Sequence, residues 1–133
     1  GSVYNGKVLN GLRHGYGVYE HKEENIKYEG DWANGLKHGK GKLIIQDMIY
    51  EGNFHEGSKH NLGKLKWNQT GNYYDGMFKE NYIHGNGYMV WVETQEKYIG
   101  QWKRNLQNGY GMHIWYEPKG EMKYLKNRYI GEW

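Results

Sequence analysis

Three observations make this chain an all-β array of tandem β-hairpins. The first is a phrase that recurs at a fixed interval. It reads Tyr28-Glu-Gly-Asp-Trp32, then a turn, then His38-Gly39-Lys-Gly41, and it returns from Tyr50, Tyr74 and Tyr98. A looser copy starts at Tyr4, and a truncated one, Tyr129-Ile-Gly-Glu-Trp133, ends the chain. The starts lie 24, 22, 24, 24 and 31 residues apart (4→28→50→74→98→129). A period of this length marks a repeat protein, in which each unit buries its apolar face against its neighbours. The second observation is the alternation aromatic, Gly, aromatic that opens each unit, which is the period of a strand. The third is composition: 21 glycines, 14 tyrosines, 6 tryptophans and a single proline, Pro118, in 133 residues.

With the tyrosine of each unit numbered zero, position +2 is glycine in all six copies. Position +4 is Val8, Trp32, Phe54, Phe78, Trp102 or Trp133. Position +7 holds Gly11, Gly35, Gly57, Asn81 or Asn105, residues that tolerate positive φ, and so predicts the turn. A second strand is expected after the glycine at +13 (Gly17, Gly41, Gly63, Gly87, Gly111). Placing Trp32 opposite Gly41 sets Gly30 against Leu43 and Tyr28 against Ile45. The same rule pairs Phe78 with Gly87, Gly76 with Met89 and Tyr74 with Trp91. In the fifth unit it pairs Trp102 with Gly111, Gly100 with His113 and Tyr98 with Trp115. Large rings laid over cross-strand glycines are a known way to stabilise glycine-rich strands. Tyr28, Gly30, Gly41, Tyr50, Gly52, Gly63, Tyr74, Gly76, Gly87, Tyr98, Gly100 and Gly111 are thus the expected structural set. The alternate positions, among them Glu29, Asp31, Glu51, Asp75, Lys42, Lys64 and Lys66, should form a solvated polar face, with Ile44, Val90, Met112 and Ile114 as exceptions.

Composition excludes several classes. Disordered chains are poor in aromatics, and no run approaches the ~18 apolar residues of a membrane-spanning helix. With no cysteine there is neither a disulfide framework nor a thiolate metal site, which is compatible with a reducing, cytoplasmic compartment. A net charge of +3 is too mild to argue for nucleic acid or an anionic membrane. Serine occurs only at Ser2 and Ser58, so hydrolase chemistry has little to work with, and no phosphate loop or nucleophile elbow is present. Gly39-Lys-Gly41 lacks the strand-to-helix context of a phosphate cradle. His14, His38, His60 and His84 share position +10. Equivalent residues of successive hairpins lie roughly 10 Å apart, whereas zinc needs ligands at ~2 Å. They are therefore expected to be turn histidines that bond a backbone carbonyl, and no metal or cofactor is expected.

The phased copies closely resemble the MORN repeat family, over the whole chain after Gly1-Ser2, which is read as a cloning scar (residues 1–2, the repeat domain being 3–133). Asn61 in place of the glycine after the histidine, Asn108 in place of the histidine and Val8 in place of the +4 aromatic are the departures. The segment Gln107 to Trp115, followed by a longer loop and then Lys126-Asn-Arg-Tyr-Ile-Gly-Glu-Trp133, resembles part of the radial spoke head 10 homolog B proteins of cilia and flagella. The resemblance implies an elongated, twisted, single-layer antiparallel sheet of hairpins. It also implies a non-enzymatic protein–protein scaffold, cytoskeletal, in the axoneme of a cilium or flagellum.

One face of such a sheet is aromatic and no helix is available to cover it. Aromatics on an open surface are typical interface anchors. The expected partner-binding groove combines +4 and +17 rings: Phe54, Trp67, Phe78, Trp91, Trp102 and Trp115. The expected occupants are axonemal or cytoskeletal proteins or peptides. Nucleic acid is not expected, since the obvious lysines fall on the other face. A phospholipid-binding module and the regulatory repeat region of a larger enzyme are the alternatives. Repeats running to the last residue suggest a fragment of a longer array, and the open strand edges allow self-association, edge to edge or end to end.

Overall fold

The computed structural model describes the backbone of residues 1–119 and 122–132 and the side chains of residues 1–115. Eleven strands form one open antiparallel sheet in sequence order. They are β1 (Ser2–Leu9), β2 (Leu12–His21), β3 (Ile26–Ala33), β4 (Leu36–Ile45), β5 (Met48–His55), β6 (Ser58–Trp67), β7 (Tyr73–Lys79), β8 (Tyr82–Trp91), β9 (Glu96–Lys103), β10 (Leu106–Lys119) and β11 (Met122–Glu132). Each repeat is one hairpin, closed by two residues with positive φ at +6 and +7, as in Asn34 (51°) and Gly35 (84°). That is the turn whose twist matches the flanking strands. Glu56, Glu80 and Arg104 take the +6 place in the left-handed region although they are not glycine or asparagine.

The second strand starts directly after this turn, at +8, and carries His-Gly-x-Gly within it. The expected start after +13 was late because the residue at +11 is a bulge, not a turn. Gly15, Gly39, Gly85 and Gly109 hold φ between 69° and 87° there, and Asn61 holds 57°. Asparagine tolerates that conformation better than other residues with side chains, which explains the departure at Asn61. In the second repeat, His38, Gly39 and Lys40 face the single Asp31.

The bulge resets the register by two residues from the expected one. Glycine meets glycine: Gly30 pairs with Gly41, Tyr28 with Leu43 and Ile26 with Ile45. Likewise Gly76 pairs with Gly87, Tyr74 with Met89, Gly100 with Gly111 and Tyr98 with His113. The facing residues keep their side of the sheet, because a shift of two preserves alternation. The result is an unbroken row of glycines, one per strand, from Gly6 to Gly131. The ring over each pair comes from the tyrosine two residues upstream, not from the residue at +4. A Cβ on Gly30 would stand 2.7 Å from the Tyr28 hydroxyl, and one on Gly41 would collide with the same ring.

Each tyrosine reaches past the glycines and donates from its hydroxyl to the carbonyl at +3: Tyr28 to Asp31 at 2.7 Å, Tyr50 to Asn53 at 2.7 Å, Tyr74 to Met77 at 2.8 Å and Tyr98 to Gln101 at 3.1 Å. The +4 rings fill the gaps between tyrosines. Trp32, Tyr28, Phe54, Tyr50, Phe78, Tyr74, Trp102 and Tyr98 follow one another edge to face, with centroids 4.9–5.7 Å apart. Such pairs are worth about 0.5–1.5 kcal/mol each beyond area burial. The four tyrosines are at most 1% exposed and form the centre of the core.

In the fifth repeat the segment expected as a longer loop is a longer hairpin. Strands β10 and β11 stay paired out to Lys119 and Met122, with a shift at Trp115/Tyr116.

Two measurements check this packing. Gly87→Val places a branched side chain in the Tyr74 ring, and Gly76→Val does so at the tyrosine hydroxyl. Each should cost 2 kcal/mol or more, of the order of overpacking, whereas His84→Ala should cost about 1 kcal/mol or less. Denaturant melts that rank them the other way would refute the ring-over-glycine arrangement.

Burial raises the Tyr28, Tyr50, Tyr74 and Tyr98 phenols above their ordinary 10.0, with Asp31 adding to the effect at Tyr28. A phenol whose pKa is higher folded than unfolded holds its proton better in the native state. Stability is therefore intact below pH 10 and falls as pH rises past 10.0. Lys37 and Lys59 are shifted the opposite way, lowered first by burial and then by a neighbouring cation. They oppose part of the loss near 10.5. Alkaline unfolding should coincide with the rise of tyrosinate absorbance, and Tyr74→Phe should shallow its slope.

Candidate functional site

The two faces of the sheet handle their polar groups differently. On the face turned away from the tyrosines, cross-strand neighbours alternate in sign: Glu29 with Lys42, Lys42 with Glu51, Glu51 with Lys64, and Lys64 with Asp75. Lys27 adds an ion pair to Glu29 at 2.9 Å. The row then turns apolar, through Tyr88, Ile99 and Met112. Leu62 and Tyr110 nearby are 62% and 66% exposed. The expected polar face is thus polar only in its first half.

The other face has three bands. Its centre is the ring ladder. Phe54 (4% exposed), Phe78 (2%) and Trp102 (5%) belong there, each wedged between two tyrosines. These three were expected in the groove. Their rings are consumed by packing, because the register leaves a ring-sized gap between successive tyrosines. Trp102 also spends its indole N–H on the Gly87 carbonyl, at 3.3 Å.

The band along the inter-hairpin loops is apolar and half-buried: Ile26, Ile45, Met48, Trp67 and Trp91, all packed against the core. Trp67 faces Met48, and Trp91 faces Glu96. Trp91 stacks on His113 at 5.7 Å and 8°, and His113 meets Trp115 edge to face at 5.2 Å. The imidazole of His113 is held by the Glu96 carboxylate at 3.0 Å. Of the six expected groove residues, Trp67, Trp91 and Trp115 therefore keep accessible ring surface, and Trp91 and Trp115 come together around His113.

The band along the hairpin turns was missed from sequence. Position +9 holds Arg13, Lys37, Lys59, Ile83 and Gln107, and it points to the aromatic face. The Arg13 guanidinium lies 5.0 Å from the Tyr4 ring centroid, 4.9 Å from that of Tyr19 and 5.0 Å from that of Trp32. The ammonium groups of Lys37 and Lys59 lie 5.7 Å from the centres of Tyr28 and Tyr50. The lysines expected on the opposite face, Lys42, Lys64 and Lys66, do lie there, but Arg13, Lys37 and Lys59 add a second set of cations on the aromatic face. Position +9 lies before the expected start of the second strand after +13, so alternation assigned it no face.

The +10 histidines are strand residues. His38 Nδ1 accepts from the Glu56 amide at 3.4 Å, so it meets an N–H and not the carbonyl that was expected. His55, which the +10 spacing omits, lies between His38 and His60 at 5.1 and 5.4 Å between ring centres. Among the described residues no group of three or more histidines and carboxylates is placed to hold a metal ion.

The MORN repeat model matches residues 4–22, 28–47, 50–69, 74–93 and 98–117. The chain belongs to the MORN repeat family. A MORN repeat-containing protein 3 of Xenopus laevis is 43% identical over 47 residues, covering 35% of this chain and 20% of that relative. This MORN chain therefore spans about a fifth of the length of the curated relative it matches. MORN repeats are generally protein- or membrane-binding modules.

Proposed function

We propose that these MORN repeats are a non-enzymatic scaffold that holds a protein partner on the aromatic face of the sheet. The observation that carries this reading is the apolar band ending in Trp67, Trp91 and Trp115. Trp67 and Trp91 rest on the core, Trp115 meets Trp91 through His113, and all three are only half-buried. Half-exposed tryptophans on a rigid backing are what interface anchors require, since little side-chain freedom is lost on binding. On this reading the whole protein would belong to the cytoskeleton of a cilium or flagellum, in the radial spokes of the axoneme. The lengthened hairpin that follows the fifth repeat's turn, Leu106–Lys119 with Met122–Glu132, lies in the segment whose sequence resembles radial spoke head 10 homolog B proteins, and that resemblance supports the reading. A non-catalytic role is supported by the spread of polar groups over an open sheet and by serine only at Ser2 and Ser58.

A pull-down of axonemal proteins with Trp91→Ala and with Lys64→Glu/Lys66→Glu tests the face. Circular dichroism must first show that both variants are folded. Trp91→Ala should weaken retention by about 2 kcal/mol or more, the size of a hot spot, and the lysine variant should retain the partner. Loss of partner in the lysine variant alone would move function to the charged face. Pelleting of the chain with acidic vesicles in place of any protein partner would favour membrane binding.

A further inference from the structure

Arg13, Lys37 and Lys59 form a row along the turn side of the aromatic face, one per hairpin, roughly 10 Å apart by strand spacing. Three properties combine in them. They are half-buried, with their charged ends over aromatic rings. Among the described residues no ion pair involves any of them. And they act on one another: Lys37 is lowered by burial and by Arg13, and Lys59 by burial and by Lys37, with no carboxylate opposing either shift. Lys42 and Lys64, on the other face, each lie between two acidic neighbours.

The row is also held in place. The +7 amide of each following hairpin donates to the +9 carbonyl: Gly35 to Arg13 at 2.9 Å, Gly57 to Lys37 at 2.8 Å and Asn81 to Lys59 at 3.1 Å. Where asparagine stands at +7, its side chain also accepts from the +9 amide, as Asn81 does from Lys59 at 2.9 Å. Rigid, partly desolvated cations without counter-charges are a poor arrangement for a free surface and a favourable one for an anionic ligand.

A groove between the cations and the apolar band is lined by Arg13, Lys37, Tyr19, Leu43, Ile26 and Ile45, and Lys59 and Trp67 stand on the same face of the next hairpin. One wall is thus basic and the floor and far wall are apolar. We propose that this groove binds an acidic amphipathic peptide segment lying across the strands, its carboxylates on Arg13, Lys37 and Lys59 and its apolar side chains on the Ile26–Ile45–Trp67 band. The spacing suits a helix, in which seven residues rise about 10.5 Å, so Asp or Glu at i, i+7 and i+14 would meet the three cations in turn. A recessed row with its charges over rings suits a slim segment better than a flat lipid surface, which basic side chains must reach from outermost positions.

This inference rests on the reading of the aromatic face as a protein-binding surface, and the test separates the two. Random displayed peptides are selected against the whole chain. The enriched peptides should carry Asp or Glu at seven-residue spacing beside Leu, Ile, Phe or Met. A synthetic copy should bind the folded Arg13→Glu/Lys37→Glu/Lys59→Glu variant about tenfold more weakly or worse, and lose affinity as salt rises. Replacing the peptide's acids with lysine should restore binding to the reversed variant, which a merely structural role for the cations would not produce. Enrichment without an acidic excess, indifference to charge reversal, or no enriched peptide overturns the proposal. Peptides lost with Trp91→Ala but indifferent to the reversal would keep the tryptophan surface and sink the acidic partner. Peptides indifferent to both would sink both. If no acidic peptide is selected and phosphatidylserine–phosphatidylcholine vesicles pellet the chain but not its reversed variant, the row belongs to a membrane surface and the proposal fails.

Discussion

The rest of the structure depends on one interaction, a tyrosine ring laid flat over a pair of glycines. A single-layer sheet has no second layer against which to bury apolar surface, yet burial supplies most of the driving force for folding. Here the cover is folded down onto the sheet. Tyr28 crosses Gly30 and Gly41 and ends in a hydrogen bond to the Asp31 carbonyl. That geometry explains why both positions are glycine: a Cβ on Gly41 would stand inside the ring's own volume, and one on Gly30 would meet the Gly41 Cα and Lys40 carbonyl at 2.5 Å and the tyrosine hydroxyl at 2.7 Å. It also explains why tyrosine opens these units. A phenylalanine would cover the same glycines but would leave the carbonyl at +3 without its phenolic donor.

The ladder couples repeats as well as covering them. Phe54 belongs to the third repeat but sits 5.2 Å from Tyr28 of the second and 5.0 Å from Tyr50 of its own. The same holds for Phe78 and Trp102 in their turn. The backbone repeats the pattern, with each +7 amide bonded to the preceding +9 carbonyl. Neighbour coupling of this kind makes stability a property of adjoining pairs of repeats rather than of single hairpins. A lesion at Tyr74 should therefore be felt from Phe78 to Trp102, not only within its own unit.

Much of the architecture was legible because it is written in short-range rules. The period, the hairpins and the turns at Asn34-Gly35 and its equivalents follow from glycine, asparagine and alternation. The register was not legible, and the reason is local. Alternation counts residues, while the bulge at Gly39 sets three residues against Asp31 alone. Only the left-handed conformation at +11, shared by four glycines and Asn61, gives it away, and a glycine beside a histidine reads as easily as a turn. Two errors about the site follow from that one. The +4 rings read as groove residues when the register sets them over glycines, whereas they lie between tyrosines. The cations at +9 were assigned to no face, because the second strand was thought to begin beyond them. Trp67, Trp91 and Trp115 escaped the error, since +17 lies well past the bulge, where alternation counts correctly.

Charge then distinguishes faces that hydrophobicity alone would rank equally. Both carry exposed apolar surface, Leu62 and Ile99 on one side and the tryptophan band on the other. On the first side, however, the charges are already answered within the sheet, from Glu29 through Lys42, Glu51 and Lys64 to Asp75. A partner arriving there would meet charges that already alternate in sign. On the aromatic side burial penalises the charges of Lys37 and Lys59, and Arg13 and Lys37 in turn repel them. An anionic partner removes that repulsion as it binds, so the same contact gains attraction and relieves strain already present in the free chain. Electrostatic complementarity contributes most when the unbound state is the frustrated one. Of the two faces, only the aromatic one meets that condition.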